Sequence, residues 1–73
     1  MKLIIDGKYR HHKGNYYKVL AEAKHSETLE EMVVYKALYG DNEVWVRPKD
    51  MFLETVVVNG AKKPRFELIK ETK

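Results

Sequence analysis

Gly7, Gly14, Gly40 and Gly60 stand isolated between short apolar runs, and this spacing of turn signals suits successive strands far better than long helices. Asp6-Gly7 and Lys13-Gly14-Asn15 read as turns. From Tyr17 onward the chain alternates, with Tyr17, Val19, Ala21 and Ala23 on one face and Lys18, Glu22 and Lys24 on the other, the period of a strand with one buried side. Val44-Trp45-Val46-Arg47 is a further strand, stopped by Pro48, which has no amide hydrogen to donate to a ladder. Lys49 to Leu53 reads as one short helical turn. Glu54 to Val58 is a strand, Asn59-Gly60 a hairpin turn and Arg65 to Ile69 a partner strand, with Pro64 in the loop or at a strand edge.

The segment from Ser26 to Tyr39 admits two readings. Thr28-x-x-Glu31 imitates a helix capping box, and Leu29, Met32, Val33 and Lys36 follow at helical spacing. Against a helix, Met32-Val33-Val34-Tyr35 is β-branched and aromatic, and Val33, Tyr35, Ala37 and Tyr39 alternate with Val34, Lys36 and Leu38. The strand is preferred, beginning near Glu31, with Glu27 to Glu30 as a hairpin turn. Five or six short strands bury an aromatic face only by curling, so the expected fold is mainly all-β: a small SH3-like barrel or strongly bent β-roll with one helical turn near 49–53. Tyr17, Val19, Val33, Tyr35, Trp45, Phe52, Val56 and Phe66 are the expected core, leaving Tyr9, Tyr16 and Tyr39 as the exposed aromatics.

At 73 residues the chain is expected to form a single domain, 1–73, near the size at which one core supplies only about 3–5 kcal/mol. Its 44% hydrophobic and 34% charged composition fits a folded domain rather than a disordered segment. With no cysteine there is neither a disulfide nor a thiolate metal site, which points to a reducing cytoplasm. Leu3-Ile4-Ile5 is far too short for a signal-peptide core or a membrane helix, so no membrane is expected. The net charge of +3 is uneven, basic before Lys24 and after Arg47, with Glu27, Glu30 and Glu31 between, which keeps a polyanion-binding face open.

Gly7-Lys8-Tyr9-Arg10-His11, Lys13-Gly14, Tyr17, His25-Ser26-Glu27-Thr28, Val33-Val34-Tyr35, Leu38-Tyr39-Gly40, Trp45-Val46-Arg47-Pro48 and Met51-Phe52 together resemble the bacterial domain family of unknown function DUF1653, over about residues 7–69. Pro64-Arg65-Phe66-Glu67 resembles the family's usual ending, whereas Lys49 and Asp50 depart from it. The resemblance implies a stand-alone, soluble bacterial protein. It implies no activity, substrate or catalytic residue.

His11, His12 and His25 raise metal binding, but neighbours on a strand point to opposite faces, and no recognised ligand spacing is present. Ser26 beside His25 with Glu27, Glu30 and Glu31 has the residue types of a hydrolytic triad, yet no strained nucleophile turn surrounds it. None of the glycines has phosphate-loop spacing. The preferred reading is a non-enzymatic binding or interaction module, without cofactor or metal, that presents Tyr9, Arg10, His11, Lys13, His25, Glu27 and Arg47 to one partner. A protein or peptide partner comes first, and a nucleic-acid or anion-binding barrel is the alternative. A small enzyme or metal protein using His11 and His25 is the least favoured reading. In solution the chain is expected as a monomer or weak homodimer, because exposed strand edges can pair.

Overall fold

The computed structural model describes residues 3–70; Met1, Lys2 and residues 71–73 of the expected single domain lie outside the described residues. Seven strands and one helical turn follow in order: β1 (Lys8–His11), β2 (Tyr16–Lys24), β3 (Glu31–Ala37), β4 (Val44–Pro48), α1 (Lys49–Leu53), β5 (Thr55–Val58), β6 (Ala61–Pro64) and β7 (Phe66–Lys70). Five strands form one antiparallel sheet in the order β4-β3-β2-β1-β7, and β5 and β6 form a separate hairpin. The all-β expectation holds, but the sheet is not closed into a barrel. β4 and β7 remain its two edges.

Curling replaces closure. In a flat sheet β3 and β7, three ladder spacings apart, would be separated by about 14 Å, yet the rings of Tyr35 and Phe66 have centroids 5.5 Å apart. Arg47 on β4, one strand further out, lies with its guanidinium 5.6 Å from the Phe66 ring. Two register irregularities accompany the curl, one between Lys8 and Tyr9 and one between Val19 and Ala21.

The second irregularity overturns part of the alternation read from the sequence. Val19 opposes Tyr35 and Ala21 opposes Val34, so Leu20 is the extra residue, and beyond it the faces exchange. Glu22 thereby opposes the buried Val33 and shares the concave face. There its carboxylate meets Lys49 Nζ at 2.9 Å, and Glu31 approaches the same ammonium at 3.7 Å.

Pro48 ends β4, and one turn of helix brings Phe52 under the curl. Phe52 is fully buried, stacks on Phe66 (centroids 4.1 Å apart, planes 6° apart) and meets Tyr9 edge-on at 5.4 Å. Leu3, Val19, Val33, Tyr35 and Ala37 complete the buried set. Four expectations for the core change, the first being Tyr17, which is half-buried and packs against the core from its margin. Tyr9 is only 3% exposed, because the register sets it opposite Tyr17 on the concave face, and its hydroxyl accepts the Ile4 amide at 3.0 Å. Trp45 is 49% exposed, since it lies on the outermost strand, with no further strand beside it among the described residues to cover it. Val56 is half-buried, because its hairpin is not part of the main sheet.

The turns explain the remaining differences. Ser26 to Glu30 forms a turn: the His25 amide donates to the Glu30 carbonyl and Thr28 Oγ1 accepts the Glu30 amide, so the apparent capping box caps no helix. Asn59 and Gly60, both with positive φ, close a two-residue hairpin as expected. Its partner strand, however, is Ala61–Pro64, and Arg65 to Ile69 turns away so that β7 pairs with β1. Arg65 locks the junction: its guanidinium binds the Glu54 carboxylate, its amide donates to the Glu54 carbonyl, and its carbonyl accepts the His12 amide.

Phe52→Ala removes the ring that the curl closes upon. Urea unfolding is expected to show a loss of about 3–5 kcal/mol, enough to leave a domain of this size largely unfolded at room temperature.

Candidate functional site

The seven candidate residues do not share one surface. Tyr9 is in the core. His25 and Glu27 lie in the turn after β2, and β2 begins at Tyr16, which pairs with Arg10. Eight residues of extended strand, roughly 26 Å, thus separate them from Arg10 and His11. His25 is also engaged, its Nδ1 accepting the amides of Glu27 (3.1 Å) and Thr28 (3.4 Å). Arg47 lies on β4, but the curl brings its guanidinium to 5.6 Å from the Phe66 ring, against which His11 also packs. Among the described residues no carboxylate pairs with it; its Nε donates to the Tyr35 hydroxyl at 3.2 Å.

Arg10 and His11 do come together, at a cleft of about 340 Å³ where the end of β1 and β7 face the β5–β6 hairpin. Arg10, His11, His12 and Lys63 line it with Val58, Pro64 and Glu67. The hairpin stands here because Arg65 ties its base to Glu54 and to the His12 amide. Arg10 opposes Glu67 in the ladder, but among the described residues neither Arg10 nor Lys63 has a carboxylate within ion-pair distance. Lys13 follows in the turn beside His11.

His12 was expected on the opposite side from His11, but β1 stops at His11 and the turn brings the two rings to 4.4 Å. His11 also packs edge-on against Phe66 at 4.8 Å and Tyr17 at 6.3 Å. Its pKa falls from 6.5 to about 4, chiefly through burial and then through the positive field of His12, Arg65, Arg47 and Lys13. The ring is therefore neutral at pH 7. Its Nδ1 accepts the Lys13 amide at 3.1 Å, so the ring proton resides on Nε2, leaving a neutral donor among cations. Among the described residues no three His, Asp or Glu side chains gather as a metal site requires.

A second, smaller cleft of about 200 Å³ lies on the concave face between Tyr17, Tyr35, Tyr39, Trp45 and Arg47. Tyr17 and Tyr39 share a hydroxyl hydrogen bond of 2.9 Å, and burial together with that bond raises the Tyr17 pKa to about 12. Sequence reasoning missed this cluster by assigning Trp45 to the core. The usable signal was Pro48, which favours an edge for the strand it ends, and an edge leaves its aromatic residue uncovered.

Comparison with known proteins bears on the family and not on the site. Residues 7–68 match the family described as "Protein of unknown function (DUF1653)". A crystal structure of a protein belonging to DUF1653 from Bordetella bronchiseptica is 34% identical, with a TM-score of 0.82 over 93% of this chain and 90% of that one. The chain matches no curated protein. Among the described residues no helix is long and apolar enough to cross a membrane.

The depressed His11 pKa fixes a pH dependence. Between pH 6.5 and 4 the unfolded chain binds this proton and the folded one does not, so His11's contribution to stability is intact above pH 6.5 and is lost as pH falls through about 4. NMR titration is expected to give His11 a midpoint near 4, with denaturation midpoints falling across the same window.

Proposed function

We propose that this chain, which belongs to the DUF1653 family of proteins of unknown function, is a non-enzymatic binding module that holds an anionic group in the cleft lined by Arg10, His11, His12 and Lys63. The observation that carries the reading is the set of donors without carboxylate partners. Elsewhere on the molecule Lys18, Lys49 and Arg65 are engaged with Asp6, Glu22, Glu31 and Glu54, whereas Arg10 and Lys63, which meet in one cleft, have no carboxylate partner among the described residues. A guanidinium, an ammonium and a neutral imidazole N–H together suit phosphate or carboxylate oxygens. Val58 and Pro64 add a small apolar wall for whatever carries the anion. We assign this binding to a reducing cytoplasm, a reading supported by a sequence that uses no cysteine.

The cleft favours a compact anion over a long polyanion. Glu67 lines one wall, so a nucleic-acid strand drawn through it would bring a phosphate against a carboxylate. Lys13 stands beside the cleft as an accessory cation that raises the local potential.

Titration of labelled protein with inorganic phosphate tests the reading. The expected result is saturable shifts at the amides of Arg10, His11, His12 and Lys63, together with a rise in the His11 midpoint, since a bound anion favours imidazolium. Arg10→Ala should weaken binding by about 10–100-fold through loss of a charge-assisted hydrogen bond. Shifts confined to Tyr39, Trp45 and Arg47, or none at all, would remove the assignment.

A further inference from the structure

The outermost strand, β4, has β3 on one side and, among the described residues, no strand on the other. The backbone groups that it turns outward follow from its register. The Ala37 amide donates to the Glu43 carbonyl at 2.9 Å, and the alternation of an antiparallel ladder carries the same hydrogen-bonded pairing to Tyr35 with Trp45 and to Val33 with Arg47. The amides and carbonyls of Val44 and Val46 therefore point away from β3. The usual edge guards are sparse at this stretch: no lysine lies within β4, its pairing with β3 has no bulge, its one charged residue, Arg47, is turned inward onto Tyr35 and Phe66, and Pro48 stands only at its end. Val44, Trp45 and Val46 are 57%, 49% and 58% exposed, so the edge is apolar on both faces.

We propose that the chain forms a two-fold homodimer by antiparallel pairing of β4 with β4 of a second copy, centred on Trp45. Only outward-facing residues can exchange hydrogen bonds, which confines the pairing to registers in which Val44 and Val46 oppose one another or themselves. Centring on Trp45 sets Val44 against Val46 of the second copy, and the reverse, giving two hydrogen-bonded pairs in which Pro48 is not asked for an amide it lacks. The same register sets Glu43 directly opposite Arg47 of the second copy, twice by symmetry, so that the interface is complementary to itself in charge. Arg47 suits that role, because its Nε is held by Tyr35 while no described carboxylate claims its charge. Trp45 meets its own copy at the axis as a close, non-hydrogen-bonded pair.

In the dimer the two sheets become one, with β7 at each far end. The Arg10–His11 cleft lies at that end, so pairing through β4 leaves both clefts open and the inference is independent of what they bind.

Sedimentation over a concentration series tests the proposal. The mass is expected to rise from 8.6 kDa toward twice that value and stop, while the amides of Val44 and Val46 gain protection from hydrogen exchange. Val46→Lys, which adds an edge charge on the outer face without touching Arg47 or Tyr35, should weaken the dimer about tenfold or more while the amide spectrum stays folded. Glu43→Arg should also weaken it, and adding Arg47→Glu to that variant should recover most of the loss. A wild-type chain that stays monomeric at millimolar concentration, assembly that continues past the dimer, indifference to Val46→Lys, or a charge-reversed pair that fails to recover would each overturn the proposal.

Discussion

The stack of Phe52 on Phe66 is the contact on which the rest of the molecule depends. An open five-stranded sheet has no ladder to hold its two edges toward each other, so the curl must be supplied from inside. Phe66 comes from one edge strand, Phe52 from the helical turn that follows the other, and Tyr35 from between them closes the group at 5.4–5.5 Å. Burying rings this large contributes more per residue than any aliphatic exchange could offer, which matters in a domain with so few fully buried side chains. Gly7 serves the same closure, since a Cβ there would stand 3.0 Å from both the Ile4 carbonyl oxygen and Leu68 Cδ1.

The chemistry at the surface inherits its geometry from that curl. His11 is kept neutral because Phe66 and Tyr17 take part of its hydration and because the folded chain sets His12, Arg65, Arg47 and Lys13 about it. The cations fall into two groups. Lys18, Lys49 and Arg65 have carboxylate partners, the last two joining α1 and the hairpin to the sheet, while Arg10, Lys63 and Arg47 are among those with no such described partner. That division separates charges that hold the fold from charges open to a ligand or a second copy, and no buried side-chain polar atom among the described residues is left unsatisfied.

Much of the strand plan was legible because it rests on local rules. The turn at Asn59-Gly60, the stop at Pro48, the short helix at 49–53 and the strand from Glu31 all follow from backbone preferences of a few residues. The exchange of faces at Leu20 was not legible, since a bulge adds a residue without changing the composition of the strand around it. Arg10 and His11 could be named as candidates from residue type. That His25 and Glu27 lie at the other end of β2, and that Lys63 joins the cleft from a hairpin far later in the chain, depends on pairings between distant segments.

The sequence by itself determined that the chain would form short strands around an aromatic core, where it would turn, and which family it belongs to, because alternation, glycine and proline act over a few residues. Only the tertiary structure decided that the sheet stays open, that Tyr9 goes inside and Trp45 outside, and which cations are left without carboxylates. Those outcomes depend on strand order and register, and a strand's neighbour is chosen by the packing of the whole curled sheet rather than by any property of the strand alone.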